Sequence, residues 1–523
     1  MHSKSLLSLA LVGACANAFS APTSSQAELV RTGGVLGETL RYDLSGGAAF
    51  DVYWLILSLT QGPTPVGLID PGDPRILSVG LDLFLINTAL TPIGLLDGDG
   101  EATIVLPLGN DASLACFNIY GQFLSADISF GIEVQEMSNQ TAVVLGLEGE
   151  SCNAATQNLV ARQGHSISML PGGSALVVGG DEPDEFDVLT AVDSMERYDP
   201  SKMAFADGGT LQHARSTHTA TVLDDGRVLL LGGYDETETV RNTGEIYDPV
   251  TGLTTAIAPM SRARTQHSAT LMADGRVFVA GGGALFDLDD VLASLATATD
   301  ETEVYDPDTN TWTPGPDLDF PNIGHAASLL PSGEVLISGG VDIVALVFGV
   351  PVPAFSANCY LLNTAGTAFT SADDLPIART YHAQATLADG DALVVGGANG
   401  DFVLEQFNAL DTCYKYDRGT DTWSAVDSLN NARAYPNILL DGATAYVIGG
   451  LADVDVATGS GTPEQAIEST DTSAASWTDL GSMLLPREVA RSVLVDGGER
   501  ILTVGTGDNG VSTVDRTAEL FVP

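Results

Sequence analysis

The sequence predicts an all-β protein: a seven-bladed β-propeller over residues 150–523, preceded by a small β-sandwich-like domain over residues 30–148. Three observations predict it. A phrase typified by "ARTQHSATLMADGRVFVAGG" (263–282) returns seven times along the chain. Each copy carries the signature of a hairpin, with alternating residues, a turn such as "ADG" and then a β-branched run. The composition, with 57 glycines and 17% charged residues, suits short strands joined by tight turns better than it suits helices.

The bulk composition excludes several classes of function. With 44% hydrophobic residues the chain is a folded protein, and its 523 residues allow two or three domains. It holds 68 acidic against 21 basic residues, a net charge of -47, and Lys4, Lys202 and Lys415 are its lysines. Such a field repels nucleic acid and anionic membrane surfaces. It fits either a surface adapted to a salty exterior or the binding of cations such as calcium.

Residues 1–18 read as a signal peptide: one cation in "MHSKS", the short apolar run "LLSLALVGA", and an A-x-A cleavage site at Ala16–Ala18. "VGAC", ending at Cys15, resembles a lipobox, but Gly13 fits it poorly, so soluble export is expected over lipid anchoring. The protein is therefore expected to be extracellular, periplasmic or at the cell surface. No membrane span is expected, because the apolar run "IVALVFGVPVPAF" (343–355) is short and broken by Pro351 and Pro353. Cys116, Cys152, Cys359 and Cys413 match no zinc spacing, and a Cys116–Cys152 disulfide stays open.

Between residues 30 and 148, runs such as "FDVYWLILSLT", "EATIVLPLG" and "FGIEVQEM" are punctuated by "GPTP", "DPGDP" and "DGDG". No helical period of useful length appears, so a sandwich of strands is expected. "DGDGE" (97–101) lacks the full ligand run of an EF-hand and reads as a hairpin turn between "IGLL" and "ATIVL".

The repeats keep His165, His218, His267, His325 and His382 in fixed register before a Gly pair; Pro436 and Ala490 take that position in the last two copies. A third strand follows ("MERYDPS", "GEIYDPVTG", "TEVYDPDTNTW", "CYKYDRGTDTW"), then a turn and an aromatic residue that opens a fourth strand. One constant step back from each His position lands on Phe205, Thr254, Trp312, Phe369, Trp423 and Trp477. All but Thr254 are aromatic, so the fourth strand holds its register. Four antiparallel strands per unit, at a period of about fifty residues, mark a propeller blade. The last copy ends at "TAELFVP", a third strand, and the same step back from His165 lands on Cys152. Residues 150–160 are therefore expected to supply the closing strand of the last blade.

With the Gly pair, the later Tyr and the still later Trp in order, these repeats resemble kelch repeats, and the propeller resembles the central domain of galactose oxidase, in a chain of exported bacterial type. That resemblance covers residues 150–523. Galactose oxidase and glyoxal oxidase are copper-radical enzymes with a Tyr-His pair in the same context, so the resemblance makes Tyr381 and His382 copper ligands in an oxidase. Those enzymes also use a cysteine-linked second tyrosine and a histidine from a C-terminal domain. Here Cys359 and Cys413 sit beside Tyr360 and Tyr414 on third strands, with no route to the axis, and the sequence stops with its last blade.

Long, dissimilar insertions follow the Gly pairs, among them residues 181–194, 283–301, 341–358, 398–412 and 451–469. Long loops on a rigid scaffold are where binding concentrates. Three residues before each His position stand Arg162, Arg215, Arg264, Arg379, Arg433 and Arg487, with Asn322 breaking the set. Two readings stay open. Arginines can bind carboxylates or sulfates of a ligand at the channel mouth; a residue present in almost every blade can equally pair internally in each one. The repeated histidines are expected to hydrogen-bond within or between blades. The expectation is a non-catalytic recognition protein for glycan or protein partners, with no metal and no cofactor. The alternatives are the copper oxidase through Tyr381 and His382 and a calcium-dependent adhesive protein.

Overall fold

Strands form almost every element of the chain in its computed structural model. It describes residues 28–32, 39–45, 52–58, 61–65, 76–79, 93–97, 101–107, 118–127, 133–137, 141–144, 151–153, 160, 162–183, 189–285, 291–347, 350–402, 406–453, 461–487, 490–505 and 518–523. Two compact units result: Met1–Glu148 with Pro200–Ala204 and Val522, and the remainder. The segment 1–18 and the side chains of Cys116 and Cys152 lie outside the described residues.

In the first unit, Glu28–Thr32, Thr39–Ser45 and Ala102–Pro107 make a three-stranded sheet, and a five-stranded sheet is built around Val52–Ser58 and Asn118–Asp127. The period of two along a strand sends Leu40, Tyr42 and Leu44 of one sheet and Tyr53, Leu55 and Leu57 of the other into a single core. The hairpin expected at "DGDGE" does not form. Ile93–Leu95 pairs with Val52–Ser58, whereas Ala102–Pro107 pairs with Thr39–Ser45. The chain changes sheets here, and the Asp97 carboxylate accepts the Glu101 N–H at 2.9 Å. Leu96 and Ile104, on either side of the corner, both enter the shared core.

Among the described residues the second unit contains seven four-stranded antiparallel sheets. Their first strands neighbour one another in a closed circuit: Ser166–Met169, Thr219–Val222, Ser268–Leu271, Ala326–Leu329, Ala383–Thr386, Asn437–Asp441, Arg491–Val495, and back to the first. Second strands such as Val228–Leu231 and Val277–Ala280 are buried at every residue. Each is covered on both faces by adjoining sheets, which is why its sequence is a continuous apolar run rather than an alternation. Leu223, Leu229 and Leu231 of one sheet pack against Val277, Val279 and Tyr305 of the next.

The aromatic residue of the fourth strand clips neighbouring sheets together. Trp312 packs on Tyr305 (centroids 4.9 Å apart) and donates its indole N–H to the Ala258 carbonyl at 2.7 Å. Trp423 and Trp477 donate to the carbonyls of Asp373 and Asp427 at 2.8 and 3.0 Å. In the last sheet the outer strand is Ser151–Asn153, paired with Glu519–Phe521. Closure leaves the ring without an open edge between first and last sheets.

The Gly pair has a physical cause. At Gly339 φ is +65°, and a Cβ would stand 2.5 Å from the Arg379 carbonyl oxygen of the next sheet. That oxygen accepts the N–H of Gly340 at 2.8 Å. Only glycine lets the two sheets approach this closely. The apolar run 343–355 belongs to a strand pair, Val341–Val347 with Val350–Phe355, whose Leu346 is 64% exposed. No helix among the described residues is long and apolar enough to cross a membrane.

Candidate functional site

Each of the six repeated arginines stands just ahead of a first strand and points inward, and all are fully buried. Their guanidinium groups are engaged inside the protein. Arg162 donates to the Gly179 carbonyl at 2.7 Å and to Glu196 at 2.6 Å. Arg215 and Arg264 repeat the arrangement with Gly232 and Glu245, and with Gly281 and Glu303. Arg433 pairs with Glu468 at 2.5 Å and Arg487 with Glu519 at 2.8 Å. Arg379 has no carboxylate; it donates to the Gly396 and Thr412 carbonyls and lies 5.0 Å from the Tyr414 ring centroid. At the equivalent position of the fourth repeat Asn322 donates to the Gly339 carbonyl and to Asp342. Arg162, Arg215, Arg264, Arg379, Arg433 and Arg487 are therefore not a ligand-binding ring. Third-strand groups occupy the place a ligand carboxylate was expected to take.

The partner was readable within each repeat. Glu196, Glu245, Glu303, Glu468 and Glu519 share one third-strand position, and Tyr414 stands there in the repeat whose arginine has no acid. The free glutamate oxygens hold the backbone ahead of the arginine: Glu245 accepts Gln212 N–H at 2.8 Å, Glu303 accepts Ser261 N–H at 2.9 Å.

The histidines stitch neighbouring blades. His218 Nε2 meets Ser166 Oγ at 2.8 Å, His267 meets Thr219 at 3.0 Å, His325 meets Ser268 at 2.8 Å, and His382 meets Ser338 at 2.9 Å. Burial pushes the pKa of His218 and His267 down to about 3 and that of His325 to about 4, so these rings are neutral.

Inside this collar the blade tips enclose a cavity of about 740 Å³, a size that suits a small ligand. Six residues that directly precede a His position line it, with left-handed backbone at Thr217, Gln266, Tyr381 and Tyr435 and glycine at Gly164 and Gly324. The Tyr381 ring stacks on Tyr435 with centroids 4.1 Å apart, and its hydroxyl donates to Gln266 Oε1 at 2.9 Å, two blades away. Gly324 makes that crossing possible, since a Cβ there would stand 2.8 Å from Tyr381 Cε1. The long insertions supply the rim: Phe355 of one blade stacks on Phe402 of the next at 4.7 Å, and Phe407 completes the cluster. Asp181 enters the wall buried, accepts the hydroxyls of Ser216 and Tyr234 at 2.6 Å each, and has its pKa raised by burial.

Arg491 was missed by the sequence reading. It lines the cavity from the start of the seventh first strand. The equivalent residues of the other repeats are Ser166, Thr219, Ser268, Ala326, Ala383 and Asn437, so a cation at this position was the available signal.

The donors for copper do not fit. Tyr381 and His382 are each committed to protein partners, and among the described residues no group of three or more His, Cys, Asp or Glu is placed to hold a metal ion. Cys359 and Cys413 are buried free thiols within blade cores, their pKa pushed up to about 12 by burial.

A closed ring of four-stranded antiparallel blades whose tips meet at an axial cavity defines the β-propeller class. Residues 215–261 and 264–318 match the Kelch motif, so this β-propeller carries kelch repeats there. It is similar to a Kelch-like protein, terF, of Aspergillus terreus (strain NIH 2624 / FGSC A1156), 24% identical over 319 residues, which span 60% of this chain and 65% of that protein. Among solved structures it is similar to a novel fungal alcohol oxidase with catalytic diversity among the AA5 family, in complex with copper: 17% identity, TM-score 0.53, covering 72% of this chain and 76% of the other. A structure of YjhT shares 12% identity and covers 59% of this chain and 94% of that one, with a TM-score of 0.42. At 17% identity the likeness to the alcohol oxidase is one of fold.

Proposed function

We propose that this propeller is a non-catalytic recognition platform, which takes part of a glycan or protein ligand into the loop-rimmed mouth of its axial cavity. One observation carries the reading: the cavity is built by tips from around the ring and rimmed by aromatic side chains of the long insertions, while the repeated polar machinery beneath it is spent on holding blades together. Kelch propellers commonly serve as interaction modules, which supports the same class. The leader-like residues 1–18 place this activity outside the cell in our reading, and sequencing the mature N-terminus, expected after Ala18, checks it.

The test is hydrogen exchange with panels of glycans and candidate protein ligands. A true ligand protects the insertions 341–358 and 398–412 without being turned over. Ligand-dependent peroxide release, or about one retained copper per chain after dialysis, would instead establish the oxidase reading of Tyr381 and His382. Retained calcium would move the site to the acidic loops and favour adhesion.

A further inference from the structure

Among the described residues Arg491 has no partner, whereas most of the other described arginines are matched with an acid. Among the described residues it makes no hydrogen bond and no ion pair, whereas Arg41, Arg227, Arg241, Arg262, Arg276 and Arg418 are all matched with carboxylates. Burial lowers its pKa, and the Tyr435 phenol is the group that counters the effect. A guanidinium left in a cavity wall without a counter-charge is a costly arrangement unless something else supplies one.

A second observation falls at the same place. In four blades the histidine Nε2 is bonded to a hydroxyl of the preceding blade, but neither ring nitrogen of His165 has a partner, although the side chain is only 2% exposed. His218, His267 and His382 also leave Nδ1 unpartnered, so Nε2 is what sets His165 apart. The blade preceding His165 is the seventh, and the residue at the position of the usual Ser or Thr is Arg491. The break in the stitching and the unpaired cation are one event, and both residues line the cavity. Burial, Arg162 and Arg491 together hold the His165 pKa well below the usual imidazole range, so it is a neutral group with one N–H to give.

We propose that Arg491 and His165 form an anion anchor in the axial cavity, specific for a carboxylate borne on a ring, with the ring placed among the cavity's aromatic side chains. Arg491 offers paired N–H donors to the two carboxylate oxygens, and the imidazole offers a further donor. Such a ligand is an aromatic acid or a sugar acid; the chemistry they share is the ring-borne carboxylate. Tyr381 and Tyr435 present ring surface in the same cavity, and Asp181 leaves Oδ1 as an acceptor for a ligand hydroxyl. The proposal rests on the recognition reading above and names the chemistry of its ligand.

The test is calorimetric and ligand-observed NMR titration of the full-length protein with benzoate, 4-hydroxybenzoate, glucuronate and galacturonate. Benzamide and the uronate methyl esters serve as neutral counterparts. The acids are expected to bind at least about tenfold tighter than their neutral counterparts, and Arg491→Gln to erase that preference, as for loss of a charge-assisted hydrogen bond. Preference for the uronates would identify a sugar acid, and preference for the benzoates an aromatic acid. Equal binding of acid and neutral forms, equal affinity of wild type and Arg491→Gln, or no acid binding at millimolar concentration would each overturn the anchor. Should Arg491→Gln fail to fold, the acid-to-neutral ratio on wild type and the Arg491→Lys variant decide it, the lysine keeping only part of the preference. Loop protection by a neutral ligand, unchanged in Arg491→Gln, would sink the anchor and leave the recognition reading standing.

Discussion

Arg487 and Arg491 open the seventh repeat four residues apart, yet their surroundings are opposite. Arg487 is fully buried and shares Glu519 with the backbone of Leu485, as Arg162, Arg215, Arg264 and Arg433 share their glutamates with backbone N–H groups. Arg491 stands in the wall of the axial cavity with no carboxylate. The collar and the wall use the same side chain for different purposes: in the collar the charge is consumed in joining strands, and in the wall it is left available. Repetition marks the first use and departure from repetition marks the second.

Acid should expose the difference most strongly, because it acts on several collar histidines at once. An unfolded chain protonates its histidines near pH 6.5, whereas the folded ring resists until about pH 3 at His218 and His267 and about pH 4 at His325. Between those limits the unfolded state binds more protons, so stability is full above about pH 6.5 and falls as pH drops towards 4. Thermal unfolding across that window checks it; a midpoint that does not move on acidification would refute the neutral-histidine collar.

Arg433→Ala should cost about 3–5 kcal/mol in chemical denaturation, since Glu468 would be left buried and unpaired. The double variant Arg433→Met with Glu468→Leu should lose less than this single one, because no charge is then stranded. A larger loss in the double variant would show that shape, rather than charge, dominates the collar. Gly339→Ala should cost about 2–3 kcal/mol, from a left-handed backbone and a Cβ set against a carbonyl oxygen. Arg491→Gln should cost no more than about 0.5 kcal/mol and can stabilise the fold, as no interaction is lost and an uncompensated charge is removed. A cost like that of Arg433→Ala would make Arg491 a member of the collar.

The ring was legible because its physics repeats. The Gly pair, the histidine and the fourth-strand aromatic each perform one steric or hydrogen-bonding task per blade, and that task forces the same residue at the same interval. Arg162 and its counterparts were equally visible as a repeat but not as buried, because burial depends on a third-strand glutamate some thirty residues further on (Arg162 to Glu196 and Arg433 to Glu468). Reading the two columns together, with Tyr414 replacing the acid beside Arg379, would have found the pairing. The sandwich corner at Asp97 was misread because a turn signal does not say whether the next strand joins the same sheet. Arg491 and His165 were illegible for a deeper reason: their meaning lies in contacts that are absent, and a sequence records only the residues present.

The pairing of Ser151–Asn153 with Glu519–Phe521 also sets a schedule. The outer strand and its partner lie at opposite ends of the propeller sequence, and they can pair only when the six blades between them have been brought round. Closure is thus the most non-local step of folding, and the one that proceeds last. Until that moment the nascent ring is an open arc with strand edges at both ends. Its exposure to misassembly is greatest in the interval before that pair forms.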